Sequence, residues 1–312
     1  MIIPFISRLS DHEQQQWIDT IDPLLENASV CRLDQLTPKQ QQQCQLAIVA
    51  NPDPQQLAAL TNLIWVHSVW AGVERMLAEL PDTSFRIVRL IDPVLTQTMV
   101  EAVLAWTLYL HRDMPAYRHQ QNQRLWQQRP YTPATERCIG ILGLGQLGLA
   151  SAQSLQQLGF PVSGWSRTPR DNSGLPGFHG QDGLLELLAQ SDIVVNLLPL
   201  TPETRHLMDQ QRLSACKRGA ALINFGRGGT VDDEALLQAL DSGQLCHAVL
   251  DVFDQEPLPR DHPFWTHPHI TLLPHISAPT TVASASRIVA DNINRYQQTG
   301  ELPPTVDRQK GY

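Results

Sequence analysis

Residues 140–170 read GILGLGQLGLASAQSLQQLGFPVSGWSRTPR: an apolar run, a G-x-G-x-x-G turn, a helix-forming stretch and a second short apolar run. Strand, tight turn, helix and strand in that order make a βαβ unit, and this unit decides the fold class. In such a setting Gly143 permits the turn, Gly145 lets a pyrophosphate approach the backbone, and Gly148 allows the helix to pack closely on the strand, with the small Ala152 one turn further on. The free N–H groups and partial positive charge of the helix N-terminus then favour phosphate. Gly143, Gly145, Gln146, Leu147 and Gly148 are therefore the expected dinucleotide contacts.

The next strand separates the two nicotinamide cofactors. An acid about 20 residues after the glycines ordinarily accepts the adenosine ribose hydroxyls. Here PVSGW runs into Ser166 and Arg167 instead. A hydroxyl and a guanidinium at that place can bind and neutralise a ribose 2′-phosphate, so NADPH is the expected cofactor, with NADH the weaker alternative.

Outward from this unit the chain keeps alternating strand-like and helix-like stretches. MIIPFI, QLAIVA, LIWVHSVW and FRIVRLI in the first hundred residues predict a small parallel α/β unit. Six buried-strand candidates follow: CIGILGL, PVSGWS, DIVVNLLP, AALINFG, HAVLDVF and ITLLPH. They predict one larger doubly wound sheet. Helical spacing from Thr98 to about Trp126, interrupted at Pro115, predicts two connecting helices, and the tail from Val282 predicts a helix that returns to the first unit. The expected division is 1–98 with 286–312 as one domain and 99–285 as the other.

Bulk properties narrow the function classes. A chain of 312 residues with 42% hydrophobic content can bury two cores. A net charge of −8 argues against a nucleic-acid or membrane-surface binder. No apolar run approaches the roughly 20 residues of a membrane span, and the N-terminal MIIPFISRLSDHEQQQW meets charge too early for a secretory segment. The five scattered cysteines form no Cys-x-x-Cys pair, so reduced thiols and a cytoplasmic location are expected.

Three separated segments carry candidate chemistry. Arg227 lies in the glycine-rich NFGRGGTVD after a strand, where ligands of open α/β sheets bind, and could grip a carboxylate with two parallel hydrogen bonds. Asp251 ends the next strand and is followed by Glu256; His275 follows the last. A histidine with a carboxylate on its second nitrogen is oriented and favoured as imidazolium, a proton donor suited to carbonyl reduction. His262, His267, His269 and His275 crowd one span, yet lack the cysteine or carboxylate spacing of a metal site, so no metal is expected.

GLGQLG, NFGRGGTVDDEAL, LDVFDQEPLP and LLPHISAP together resemble the linked signatures of the D-2-hydroxyacid dehydrogenase family. NLLPLTPET, LDSGQL and the terminal VDRQKGY add to the similarity, which covers nearly the whole chain and is strongest beyond Arg137. The resemblance implies an α/β molecule of two doubly wound parallel-sheet domains, a Rossmann cofactor domain and a smaller flavodoxin-like substrate domain, assembled as a homodimer. It implies reduction of small 2-oxo acids such as glyoxylate and hydroxypyruvate, with Arg227 as substrate anchor, His275 as acid and Glu256 as its partner. Leu198, Pro199, Thr204, Phe225, Gly226, Asp251 and Ser277 become cofactor contacts, Asp251 at the nicotinamide carboxamide. The loop VWAGVE, through Trp70, Ala71 and Gly72, becomes the substrate loop. Relatives often carry glycine or alanine at Trp70, aspartate at Glu74, and glycines at Ser277, Ala278 and Pro279. The alternatives are a family member with another substrate and a nucleotide-sensing scaffold.

Overall fold

The computed structural model describes residues 1–169 and 174–308, so Arg170 and the last four residues of VDRQKGY lie outside it. Two compact units divide the chain, Met1–Leu95 with Thr280–Tyr312, and Thr96–Pro279.

The first unit holds five parallel strands: β1 (Ile2–Ser7), β2 (Ser29–Arg32), β3 (Leu46–Ala50), β4 (Trp65–Ser68) and β5 (Arg86–Val88). Their order is β2-β1-β3-β4-β5, that of a flavodoxin-like sheet. All five residues of β3 are buried because both faces of the sheet are covered. Leu46, Ile48 and Ala50 join one core with Ile3, Phe5 and Trp65. Ala47 and Val49 join the other with Val66 and Ile87. On the first face lie helix Asp11–Ile21, whose Ser10 and Glu13 form a capping box, and the tail helix Val282–Thr299. Trp17, Ile18 and Ile21 of one and Ala285, Val289 and Ile293 of the other are buried there. β2 escapes the sequence patterning because it is a short, largely polar edge strand paired only with β1.

The second unit holds β6 (Ile139–Leu142), β7 (Val162–Ser166), β8 (Gly177–His179), β9 (Ile193–Asn196), β10 (Ala220–Asn224), β11 (Leu245–Leu250) and β12 (Ile270–Leu272). The order β12-β11-β10-β9-β6-β7-β8, all parallel, is the dinucleotide-binding order extended by one strand, with its topological switch between β6 and β9. The six expected segments are all strands; β8, three residues at the sheet edge, is the addition. The two connecting helices are Pro93–His111 and Met114–Asn122. They part at Asp113, whose φ is 55°, and Pro115 sits in the first turn of the second helix, where its missing N–H costs nothing.

Candidate active site

The glycine loop leaves the carboxyl end of β6. Gly143 has φ 99°, a conformation that side chains resist, and its N–H donates to the Trp165 carbonyl at 2.9 Å. Gly145 caps helix Gln146–Gln157, and a Cβ built there meets nothing within 4 Å. A Cβ at Gly148 would stand 1.9 Å from the Gly143 carbonyl oxygen. The open face at Gly145 and the helix start at Gln146 and Leu147 thus fit a pyrophosphate on backbone N–H groups. Gly148→Ala is expected to cost about 1–3 kcal/mol by overpacking, read from the urea unfolding midpoint; an unchanged midpoint would mean the turn relaxes freely.

Beside this loop, β7 ends at Ser166 and Arg167 follows it. The Ser166 hydroxyl donates to the Thr168 carbonyl at 2.8 Å, and the exposed Arg167 guanidinium lies 3.5 Å from Glu203. On the other side of β6, β9 continues into Leu198 and Pro199. The Thr204 hydroxyl donates back to the Pro199 carbonyl at 2.7 Å, closing that turn. A Cβ at Gly226 would fall 2.5 Å from the Leu198 carbonyl oxygen, so the loops after β9 and β10 pack backbone to backbone. Phe225 is buried in the core with Ile141, Val195 and Val249.

Arg227 follows β10, and its backbone is held by a buried polar network. Asn196 at the end of β9 donates both amide hydrogens, to Asn224 Oδ1 at 3.0 Å and to Thr230 Oγ1 at 2.7 Å. Thr230 donates to the Arg227 carbonyl at 2.6 Å, and the Asn224 amide reaches the same oxygen at 3.3 Å. Asn196 Oδ1 accepts the Leu198 N–H at 3.2 Å. All three side chains are buried with their polar atoms paired, which is what makes such a network rigid. The Arg227 guanidinium also donates to the Gly226 carbonyl at 2.7 Å. Sequence reasoning missed Asn196 and Asn224; a polar residue ending an otherwise apolar strand was the available signal.

Glu256 and His275 follow β11 and β12, the two strands beyond β10. His275 Nδ1 and Glu256 Oε2 are 2.7 Å apart, and Glu256 Oε1 accepts the Phe253 N–H at 2.9 Å. The hydrogen bond to Glu256 pushes the His275 pKa up; burial and the Arg227 charge oppose this, and the charges of Glu256 and Asp251 support it. For Glu256, burial is the largest influence and works upward. The hydrogen bonds from His275 and Phe253 and the charges of His275 and Arg227 outweigh it, holding the carboxyl below its usual range. Arg227 is thus electrostatically coupled to both members of the pair.

His275 itself has φ 55°, left-handed backbone that is uncommon for a residue with a side chain. Asp251 over-determines it. The Asp251 carbonyl accepts the His275 N–H at 3.0 Å, and its two carboxylate oxygens accept the N–H groups of Ile276 and Ser277 at 2.7 and 2.8 Å. Asp251 is fully buried, and the Ser277 hydroxyl is buried without a protein partner among the described residues.

Trp70, Ala71 and Gly72 belong to the first unit, directly after β4. The Trp70 N–H donates to Ser68 Oγ at 3.0 Å, its carbonyl accepts from Leu90, and its ring packs edge-on to Trp17. Of the crowded histidines, His262 and His267 lie beside Asp233 and Asp241, His269 stays next to His267 with ring centroids 5.9 Å apart, and His275 lies beside Glu256. Among the described residues no group of three His, Cys, Asp or Glu side chains is placed to hold a metal.

A dinucleotide-type sheet whose successive strand ends carry an arginine and a carboxylate–imidazole pair defines a nicotinamide-dependent dehydrogenase. The protein-family model described as D-isomer specific 2-hydroxyacid dehydrogenase, NAD binding domain, matches residues 104–277. Glyoxylate/hydroxypyruvate reductase A of Yersinia enterocolitica is 36% identical over 307 residues, 96% of this chain and 97% of that protein. A D-isomer specific 2-hydroxyacid dehydrogenase from Xanthobacter autotrophicus, solved with NADPH and MES, superposes with a TM-score of 0.91 at 35% identity over 99% of both chains. An NADPH-dependent glyoxylate/hydroxypyruvate reductase from Sinorhizobium meliloti, solved with NADP and sulfate, gives 0.89 at 30% identity over 100% and 99%. The chain belongs to the D-isomer specific 2-hydroxyacid dehydrogenase family.

Proposed function

We propose that the protein reduces small 2-oxo acids with NADPH, glyoxylate to glycolate and hydroxypyruvate to D-glycerate. The observation that carries the chemistry is the 2.7 Å contact between His275 Nδ1 and Glu256, electrostatically coupled to Arg227. The names of the relatives carry the substrate class, and Ser166 with Arg167 at the end of β7 supports the 2′-phosphate.

A bound reduced nicotinamide supplies a hydride to the carbonyl carbon. With Nδ1 committed to Glu256, the free Nε2–H of the His275 imidazolium is the group that protonates the carbonyl oxygen as it becomes an alkoxide. Arg227 binds the substrate carboxylate through its planar fork and so fixes which face of the carbonyl is presented. Glu256 keeps the imidazole protonated and turned; Asp251 holds the backbone that carries it. Trp70, Ala71 and Gly72 are assigned to the substrate by the resemblance of their loop. Five large apolar side chains between Leu108 and Tyr131 are exposed, including Leu125 and a fully exposed Trp126, which supports a homodimer. All five cysteines are free, in keeping with a cytoplasmic enzyme.

Initial rates with glyoxylate and hydroxypyruvate, each with NADPH and NADH, test this reading. Faster turnover with NADPH is expected. Turnover with NADH alone would overturn the cofactor assignment and leave the chemistry standing, whereas no turnover with either acid would overturn the substrate class.

A further inference from the structure

The sequence offers no acid at the end of β7, and the fold brings one there from another loop. β7 and β9 flank β6 on opposite sides, so the residues that end β7 and the turn that follows β9 rise from the same end of the sheet. From that turn Glu203 Oε2 reaches within 3.5 Å of the Arg167 guanidinium.

This carboxylate is aimed. The Thr201 hydroxyl donates to Glu203 Oε2 at 2.8 Å. Thr201 is buried; its N–H donates to Thr204 Oγ1 at 2.8 Å, and Thr204 donates to the Pro199 carbonyl. The turn is therefore closed on itself and presents Glu203 outward. Chiefly through the Thr201 hydroxyl, then through its own backbone N–H and least through Arg167, the Glu203 carboxyl is held below its usual range and is ionised at neutral pH.

With side chains 42% and 52% exposed, the ion pair contributes little to holding the fold together. Its consequence lies in what Arg167 is free to do. A ribose 2′-phosphate brings nearly two negative charges and needs the guanidinium to itself; a carboxylate beside it repels the phosphate and occupies its donor. An unphosphorylated ribose brings hydroxyl donors instead, which a carboxylate accepts.

Resting on the reading of Arg167 as the 2′-phosphate ligand, we infer that Glu203 sets cofactor specificity by competing with that phosphate for Arg167 and accepting a hydroxyl of an unphosphorylated ribose. The carboxylate narrows the preference for NADPH, and the enzyme keeps a usable affinity for NADH. Glu203 is thereby the acid that NAD-binding sheets carry at the end of their second strand, delivered from the turn after the fourth.

The test is calorimetric binding of adenosine 2′,5′-bisphosphate and of AMP, which differ only in the 2′-phosphate and carry no nicotinamide, to the wild type, Glu203→Gln and Arg167→Ala. Fluorescence titration with NADPH and NADH repeats the comparison on whole cofactors. Glutamine keeps the size of Glu203 and its acceptor for Thr201, so the turn is preserved. Glu203→Gln is expected to raise the bisphosphate-to-AMP affinity ratio by about 2- to 5-fold, the worth of an exposed ion pair, and the gain should shrink as salt is added. An unchanged or lowered ratio overturns the inference, a lowered one meaning that Glu203 supports Arg167 instead of competing for it. Arg167→Ala is expected to abolish the discrimination. If it leaves the ratio at the wild-type value, the 2′-phosphate reading of Arg167 itself fails, and the inference with it; if discrimination is lost while Glu203→Gln changes nothing, only the inference fails.

Discussion

Replacement of His275 by Gln is expected to lower kcat for 2-oxo acid reduction about 100- to 10,000-fold, the usual worth of a general acid, while leaving NADPH affinity within a factor of two or so. Glutamine keeps a hydrogen-bonding side chain on the same left-handed backbone but cannot deliver a proton. The milder companion is Glu256→Gln. Because Glu256 raises the His275 pKa, its neutralisation lowers that pKa. With His275 imidazolium as the proposed proton donor, the rate is expected to fall as pH rises through the His275 pKa, and in Glu256→Gln this fall should move to lower pH. A pH–rate profile with its limb in the wild-type position would remove Glu256 from the mechanism. Loss of NADPH binding in His275→Gln, measured by fluorescence titration, would recast His275 as a cofactor residue.

For Arg227→Gln, kcat/KM for the oxo acid is expected to drop about 100- to 1,000-fold, with the loss appearing largely as a raised KM. A lysine at the same position restores a charge without the planar two-donor fork and should recover only part of the activity. The buried support of the loop by Asn196, Asn224 and Thr230 is untouched by either change, so the unfolding free energy should stay within about 0.5 kcal/mol of the wild type. Should the KM of glyoxylate remain unaltered in Arg227→Gln, the substrate carboxylate is bound elsewhere.

How much of this was legible in the sequence depends on whether the signal was local. The glycine loop was readable because each glycine answers a steric demand of a strand–turn–helix unit, and the structure gives each a matching environment. Buried central strands such as LAIVA and AALIN announce themselves by unbroken apolar runs. Edge strands β2 and β8 have one neighbour each and carry no such run. Arg227, Glu256 and His275 could be picked out because each follows a strand, and the order β10-β11-β12 makes those strands consecutive in space. What could not be read was pairing across distant loops: Glu203 beside Arg167, and Asn196 beside Thr230. The assignment of Asp251 to the nicotinamide carboxamide likewise passed over its grip on the His275 segment, because a carboxylate facing backbone N–H groups leaves no trace in composition or spacing.

The network beneath Arg227 has an evolutionary consequence. Asn196 is the hub: altering it leaves Asn224 and Thr230 each short of a donor, and altering either of those leaves a buried Asn196 amide hydrogen without its acceptor, at about 1–3 kcal/mol per stranded group. Single substitutions there are barred by a valley, and lineages can cross it only by exchanging the positions together. Across descendants of this fold the three residues should therefore be inherited as a block, while the exposed side chains around them drift independently.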